Sequence, residues 1–188
     1  YDIKLDCITI SKKQLDFAKK RIFNAGLNDK VDIKFLDYRD VKGKYDSIAS
    51  IEMIEAVGEK YLDKYFLTIK DNLKPGGICA IQAIIIKDEL FDRYRKNEDF
   101  IQKYIFPGGF LPSLQSIKNY SKNSGLELTS YNSYGIHYSN TLKVWRHNFI
   151  RSWNDIAKQG FDHSFKKIWD FYFSYCEAGF KSKNIDLI

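Results

Sequence analysis

Along the first half of the chain the spacing of apolar positions changes in a regular order, and each change marks a new element. Leu5-Asp6-Cys7-Ile8-Thr9-Ile10 has the pattern of a buried strand, and Ser11 then supplies an N-cap for a helix over residues 12–25 that Gly26 ends. Residues 31–36 alternate apolar and polar with a period of two, as a half-buried strand does. Gly43 marks a turn, and residues 45–51 form another short strand. From about residue 58 to residue 73, Tyr61, Leu62, Tyr65, Phe66 and Ile69 recur at helical spacing. Lys74-Pro75-Gly76-Gly77 stops that helix, and residues 78–86 return to the sheet as one apolar strand. Strand and helix alternate, which predicts an α/β layer with mainly parallel strands and right-handed crossovers.

The second half reads differently. Residues 88–104 are charged and amphipathic, and Phe106-Pro107-Gly108-Gly109-Phe110-Leu111-Pro112 reads as a rigid loop. Ser113 caps a helix to about Asn123, and residues 126–133 fit an antiparallel strand. Residues 140–158 and 161–175 are helical and strongly aromatic. No repeat or low-complexity linker divides the 188 residues, a length that suits one domain with a sizeable core. Residues 1–87 are expected to carry the sheet, and residues 88–188 to form a cap on it together with late strands.

Composition narrows the partners without choosing one. Aromatic residues make up 16% of the chain, which suits a packed core first and a flat or apolar ligand second. Thirty Lys and Arg against 24 Asp and Glu give a formal charge of +6. The basic residues are scattered, so the excess favours any anionic partner alike. No aromatic-and-basic RNA signature and no Cys/His zinc spacing is present, so neither nucleic acid nor metal is expected. Cys7, Cys79 and Cys176 are odd in number and far apart, which points to a reducing, cytoplasmic setting without a disulfide framework. No apolar run has the length of a membrane span, and no signal-peptide pattern is found. Residue 1 is Tyr and the chain opens directly on a strand pattern, so a first element is expected to be missing.

Candidate chemistry gathers at strand ends, because ligands of open α/β sheets bind at the carboxyl ends of the strands. Thr9, Ser11 and Gln14 lie where the first strand enters its helix, although a plain N-capped helix needs no more than this. Asp37-Tyr38-Arg39 ends the next strand; its carboxylate can accept from an amino group and its ring can lie on a heterocycle, and a solvated turn has the same appearance. Glu55 lies among Ile51, Met53, Ile54 and Val57, so its carboxylate must be paired or serve a ligand. Glu52 reads as structural or solvent-facing. Gln82 is a lone polar group in an apolar strand, either a satisfied core amide or a residue aimed into a site. Tyr138 reads on composition alone as an ordinary tyrosine at a helix start, and His137, His147 and His163 share no metal-ligand spacing.

Six stretches in order resemble the cyclopropane-fatty-acyl-phospholipid synthases, the family that includes the mycolic acid cyclopropane synthases. They are Ile8-Thr9-Ile10-Ser11-Lys12-Lys13-Gln14, Asp37-Tyr38-Arg39-Asp40, Ile51-Glu52-Met53-Ile54-Glu55-Ala56-Val57-Gly58, Phe100-Ile101-Gln102-Lys103-Tyr104-Ile105-Phe106-Pro107-Gly108-Gly109, Tyr138 with Thr141-Leu142 and Trp145, and Tyr175-Cys176-Glu177-Ala178-Gly179-Phe180. The resemblance implies a Rossmann-like methyltransferase sheet of seven strands with an aromatic, helical cap around an acyl-chain pocket. It implies S-adenosylmethionine as cofactor and transfer of its methyl carbon to a cis double bond of an unsaturated phospholipid acyl chain, closing a cyclopropane ring. Thr9 and Gln14 match cofactor-contacting positions, and Asp37 and Tyr38 match those beside the adenine. Glu55, Tyr138 and Ile84, the last through its backbone, match positions that hold a bicarbonate ion. Gln82 matches a further such position where studied members carry His. In that chemistry the bicarbonate removes a proton from the transferred methyl group, and aromatic faces stabilise the cation by about 2 kcal/mol each when desolvated.

Two departures qualify the match. The family's glycine-rich cofactor loop and its first strand precede the residue 8–14 motif and are absent from these residues, as is an upstream cysteine of the bicarbonate site that Cys7, Cys79 and Cys176 do not replace. The chain therefore reads as an N-terminally truncated methyltransferase domain, expected to self-associate through exposed apolar surface and unpaired backbone. Alternatives are a lipid methyltransferase without ring closure and an inactive, truncated lipid-binding relic. The basic excess and the amphipathic 88–104 segment imply transient peripheral contact with anionic membranes, and a homodimer is compatible with the sequence.

Overall fold

The computed structural model describes residues 3–188. Strand β1 (Leu5–Thr9) leads into helix α1 (Lys12–Asn24), whose N-cap Ser11 accepts a hydrogen bond from the Gln14 amide. Gly26, at φ +65°, then turns the chain in the left-handed region that favours glycine. β2 (Val31–Phe35) pairs in parallel with β1, from Leu5 opposite Val31 to Thr9 opposite Phe35. A 3-10 turn (Tyr38–Asp40) leads to β3 (Tyr45–Ile51), which pairs in parallel with β4 (Leu73–Gln82) across helix α2 (Leu62–Asn72). The expected α/β alternation is thus observed.

Ala83 interrupts the run that the apolar pattern presents as one strand. Beyond it, β5 (Ile84–Ile86) pairs antiparallel with β6 (Ile185–Leu187) at the other end of the chain. Two hydrogen bonds between Ala83 and Ile188 extend that pairing to the break itself. Among the described residues six strands form three two-stranded ladders. No backbone ladder joins β1 to β3 among the described residues; the Tyr45 hydroxyl donates to Asp6 across that junction at 3.0 Å.

The second half supplies short helices α3 (Asp88–Tyr94) and α4 (Phe100–Tyr104), then α5 (Leu114–Asn123), α6 (Gly135–Arg151), α7 (Trp153–Ala157) and α8 (His163–Lys181). Residues 126–133, expected as a strand, carry no ladder; β6 takes the position beside β5 instead. One core lies between α2 and the sheet around Ile54, Leu62, Tyr65 and Phe66, all essentially inaccessible. A second lies between α6, α8 and β6 around Leu142, Phe173, Phe180 and Leu187. Arg146 on α6 donates to Asp170 on α8 at 2.6 Å, so the two long helices are pinned side by side.

Candidate active site

The ends of β1 and β2 lie together, since the Leu36 amide donates to the Thr9 carbonyl at 3.1 Å. There the Thr9 hydroxyl donates to Gln14 Oε1 at 2.7 Å and accepts from the Ser11 amide at 3.1 Å, which knits the strand end to the first turn of α1. Asp37 accepts from the Arg39 amide and, through both oxygens, from its guanidinium at 2.9 and 2.8 Å. The Arg39 side chain holds the Asp37 carboxyl below its ordinary range. Tyr38 meets Tyr65 edge to face, with centroids 5.9 Å apart, and the Tyr65 hydroxyl donates to Ser50 at 2.8 Å inside the core.

A second locus forms where β3 and β4 end. The Glu52 amide closes the last rung on the Gln82 carbonyl at 2.9 Å, and Glu52 Oε1 accepts from Gln82 Nε2 at 3.0 Å. Glu52 has φ +48°, a backbone state that costs a side-chain-bearing residue energy and that turns the chain sharply off the strand. A 3-10 turn (Ile54–Ala56) then presents Glu55. Its Oε1 takes a short hydrogen bond from the Ile84 amide, while Oε2 is buried with no hydrogen-bond partner. Burial pushes the Glu55 carboxyl above its ordinary value, and the charge of Glu52 adds to the rise. The Phe110 amide donates to the Glu55 carbonyl at 2.8 Å, and Gln102 of α4 donates to the Gly109 carbonyl at 3.0 Å. The 106–112 loop therefore clamps the acidic turn from outside.

Both carboxylates open on a cavity of about 1100 Å³. Helix α6 lines it with Tyr138, Leu142 and Trp145, spaced four and three residues apart on one face. Helix α8 faces them with Tyr172, Cys176 and Gly179, again on one face. The Tyr138 ring stacks on Phe180, with centroids 4.8 Å apart and planes at 24°. Burial, and after it the charge of Glu52, raises the Tyr138 hydroxyl well above the phenol range. Burial pushes the Cys176 thiol up to about 12 and the Tyr172 hydroxyl likewise to about 12, so neither is a ready base. The walls include the acids Glu52, Glu55 and Asp99, and no Lys, Arg or His among the described residues.

The structure thus brings Glu55, Ile84 and Tyr138 to one cavity, with Gln82 behind Glu52. Thr9, Gln14, Asp37 and Tyr38 do not line it and form the separate locus at the β1 and β2 ends. Glu52, expected to be structural or solvent-facing, stands in the cavity wall. Its spacing of three residues from Glu55 was visible; the turn that aims both inward was not. No cluster of His, Cys, Asp and Glu suited to a metal occurs among the described residues.

The sequence profile of the mycolic acid cyclopropane synthetase family matches residues 1–188. The chain belongs to that family. It is 41% identical over 181 residues to the tuberculostearic acid methyltransferase UfaA1 of Mycobacterium tuberculosis, covering 96% of this chain and 42% of that protein. It is 35% identical over 188 residues to the cyclopropane-fatty-acyl-phospholipid synthase of Escherichia coli, covering all of this chain and 46% of that enzyme. The chain spans less than half the length of these two relatives. Among solved structures, mycolic acid cyclopropane synthase CmaA1 in complex with SAH and CTAB superposes with a TM-score of 0.88 at 24% identity, over all of this chain and 68% of that one. That likeness establishes the Rossmann-like methyltransferase fold for this member of the cyclopropane synthetase family, as its motifs implied.

Proposed function

We propose that the complete polypeptide carrying this chain transfers a carbon from S-adenosylmethionine to the cis double bond of an unsaturated phospholipid acyl chain, forming a cyclopropane ring. The observation that carries this reading is the large, mainly apolar cavity with Glu52 and Glu55 at one wall and aromatic faces on the others. An acyl chain fits such a space by burying methylenes, at about 0.8 kcal/mol each. Tyr138, Trp145 and Tyr172 offer ring faces to a cation that develops on the chain. The CmaA1 relative holds SAH, the spent form of the cofactor, on the same fold.

The β1 and β2 ends suit the cofactor. Thr9 and Gln14 would hold it through their hydroxyl and amide, Asp37 would accept from it in place of the Arg39 side chain, and Tyr38 would lie against its adenine. When bound, S-adenosylmethionine supplies an electrophilic methyl carbon. The chain's own residues exclude water, fix the alkene and accept a proton.

Bicarbonate fits the donor set at the acidic turn. The Ile84 amide donates to Glu55 and a Gln82 N–H to Glu52, so both acids are fixed at the cavity wall. Burial favours a neutral Glu55, with a proton that its buried, unpartnered oxygen could give to the anion, and the Tyr138 hydroxyl would be a second donor. When bound, bicarbonate would supply a base beside the acyl chain.

A second reading, methylation without ring closure, is supported by the 41% identity to a tuberculostearic acid methyltransferase. No helix among the described residues is long and apolar enough to cross a membrane, and we place the enzyme at the cytoplasmic surface of anionic bilayers, in transient contact. The complete polypeptide, with S-adenosylmethionine and vesicles of cis-unsaturated phospholipid, is expected to add one methylene per double bond by mass spectrometry. Unchanged lipids with a demonstrably cofactor-bound enzyme would refute it, and a branched product would select the second reading.

A further inference from the structure

We propose that residues 95–102, between α3 and the first turn of α4, form the site for the lipid's polar head, and that they read a phosphodiester and an ammonium together. This rests on the lipid-alkylating reading of the cavity and adds to it the class of head on the substrate. The segment has two sides. One faces the large cavity, whose wall includes Asp99 and Gln102. The other forms a separate hollow of about 260 Å³ lined by Arg95, Lys96, Glu98 and, again, Gln102. Asp99 and Gln102 lock the segment by a reciprocal cap, each side chain accepting from the other's amide at 2.9 Å.

The hollow suits an anion. Arg95 and Lys96 outnumber its one acid, Glu98. The Arg95 guanidinium pairs with Glu59 and lies over the Phe91 ring at 5.6 Å, which fixes a side chain that still has N–H donors to spare. Lys96 has no carboxylate partner among the described residues. Gly108 completes the wall: at φ +81° it follows Pro107 in a turn closed by the Gly109 amide on the Phe106 carbonyl at 3.0 Å, and its own amide donates to no group among the described residues. A guanidinium, an ammonium and a free amide are donors that phosphate oxygens take.

The cavity side suits a cation. The second oxygen of Asp99 meets the Tyr175 hydroxyl at 3.4 Å, and no Lys, Arg or His pairs with this carboxylate among the described residues. Burial, and after it the charge of Asp99, raises the Tyr175 hydroxyl above its ordinary value. Phe100, Phe171 and Tyr175 stand together here, Phe100 edge to face on Phe171 with centroids 4.6 Å apart and Tyr175 5.9 Å from both. Phe171 and Tyr175 are exposed, and Tyr175 also lines the cavity, which marks its mouth. A carboxylate beside aromatic rings is the chemistry that takes an ammonium. A plain capped turn needs neither an unpaired Lys96 nor three rings about one carboxylate. A head that carries both charges on a short linker can meet both sides of the locked segment while its acyl chain enters past Tyr175.

The test uses the complete polypeptide with cis-unsaturated lipids diluted in neutral detergent micelles, so that surface charge stays low. Phosphatidylethanolamine is expected to show a KM about tenfold below that of phosphatidylglycerol. Lys96→Glu is expected to raise KM for both lipids by about tenfold or more, and Asp99→Asn, which keeps the cap acceptor, to raise it for phosphatidylethanolamine and so abolish the preference. A merely structural role for Asp99 would lower the turnover of both lipids alike and leave the preference in place, which would overturn the ammonium site. Glycerophosphoethanolamine, the head without its chains, is expected to bind the wild type saturably in an NMR titration and to bind neither variant. Inorganic phosphate at the same concentration is not expected to bind; equal binding would reduce the hollow to a site for free anions and overturn the head reading. Equal KM for the two lipids, or KM within about twofold of wild type in both variants, would overturn the proposal while leaving lipid alkylation intact. A cofactor-bound wild type that alkylates neither lipid would overturn the proposed function, and the titration with glycerophosphoethanolamine would still decide the head site by itself.

Discussion

Glu55 binds its proton more tightly in the folded chain than in the unfolded one, because burial penalises the carboxylate. A group with a raised folded pKa contributes stability that is lost as pH climbs from its ordinary value of 4.5 through the folded value. Glu55→Gln, which keeps the acceptor for the Ile84 amide and cannot ionise, is therefore expected to gain on the wild type between pH 5 and pH 8. Urea denaturation at the two pH values checks this, and a difference independent of pH would mean that Glu55 titrates as if exposed. The burial of this carboxyl was legible in the sequence, because an acid among Ile51, Met53, Ile54 and Val57 has few other uses. Glu52 was not legible, because its direction depends on a left-handed turn made without glycine. Gln82 announced a partnered amide, but the partner lies 30 residues away and no local pattern names it.

At the scale of elements, period and length located most strands and helices but not their partners. Residues 78–86 form an unbroken apolar run, and such a run is the same whether its neighbours are parallel or antiparallel. The break at Ala83 arises because β6 returns from the far end of the chain, and the same return leaves residues 126–133 without a ladder. That return also seats α6. Asp186 of β6 accepts from the Gly135 amide at 2.8 Å, and the Tyr134 amide donates to the Leu187 carbonyl at 2.7 Å. A Cβ on Gly135 would lie 2.5 Å from Asp186 Oδ1 and 3.3 Å from Asp186 Cα, so β6 leaves room for glycine alone. Gly135→Ala is expected to cost about 1–3 kcal/mol in urea denaturation. It should also weaken acyl-chain binding, since Tyr138 lies one turn further along α6. Unchanged stability would show that the start of α6 is free of β6.

For the whole molecule, two surfaces follow from how the elements meet. The first is the junction of β1 with β3, bridged by the Tyr45 and Asp6 side chains and by no ladder among the described residues. Ile10 just beyond β1, Ile51 at the end of β3 and Ile78 on the neighbouring β4 are each more than half exposed. Open strand edges beside apolar side chains favour pairing between molecules. The 188-residue chain alone is expected to sediment as dimers or larger species at micromolar concentration, and a strictly monomeric profile would show the junction to be self-sufficient. The second surface is the rim of the cavity. The amphipathic 88–104 segment was expected to lie on a bilayer, and within it Leu90, Tyr94 and Ile101 line the cavity. At the end of this segment and just beyond it Tyr104 and Phe106 are exposed, each 55% accessible, with Lys103 beside Tyr104. An apolar tip with a basic neighbour, on a molecule of formal charge +6, suits shallow insertion aided by anionic headgroups. Co-sedimentation with anionic vesicles is expected to weaken as salt rises towards 1 M, where the screening length is about 3 Å. Phe106→Asp should weaken it further at every salt concentration, because the substitution removes insertion and adds a repelled charge. Salt-insensitive binding would exclude the electrostatic part, and an unaffected Phe106→Asp variant would move the lipid-facing surface away from the cavity mouth.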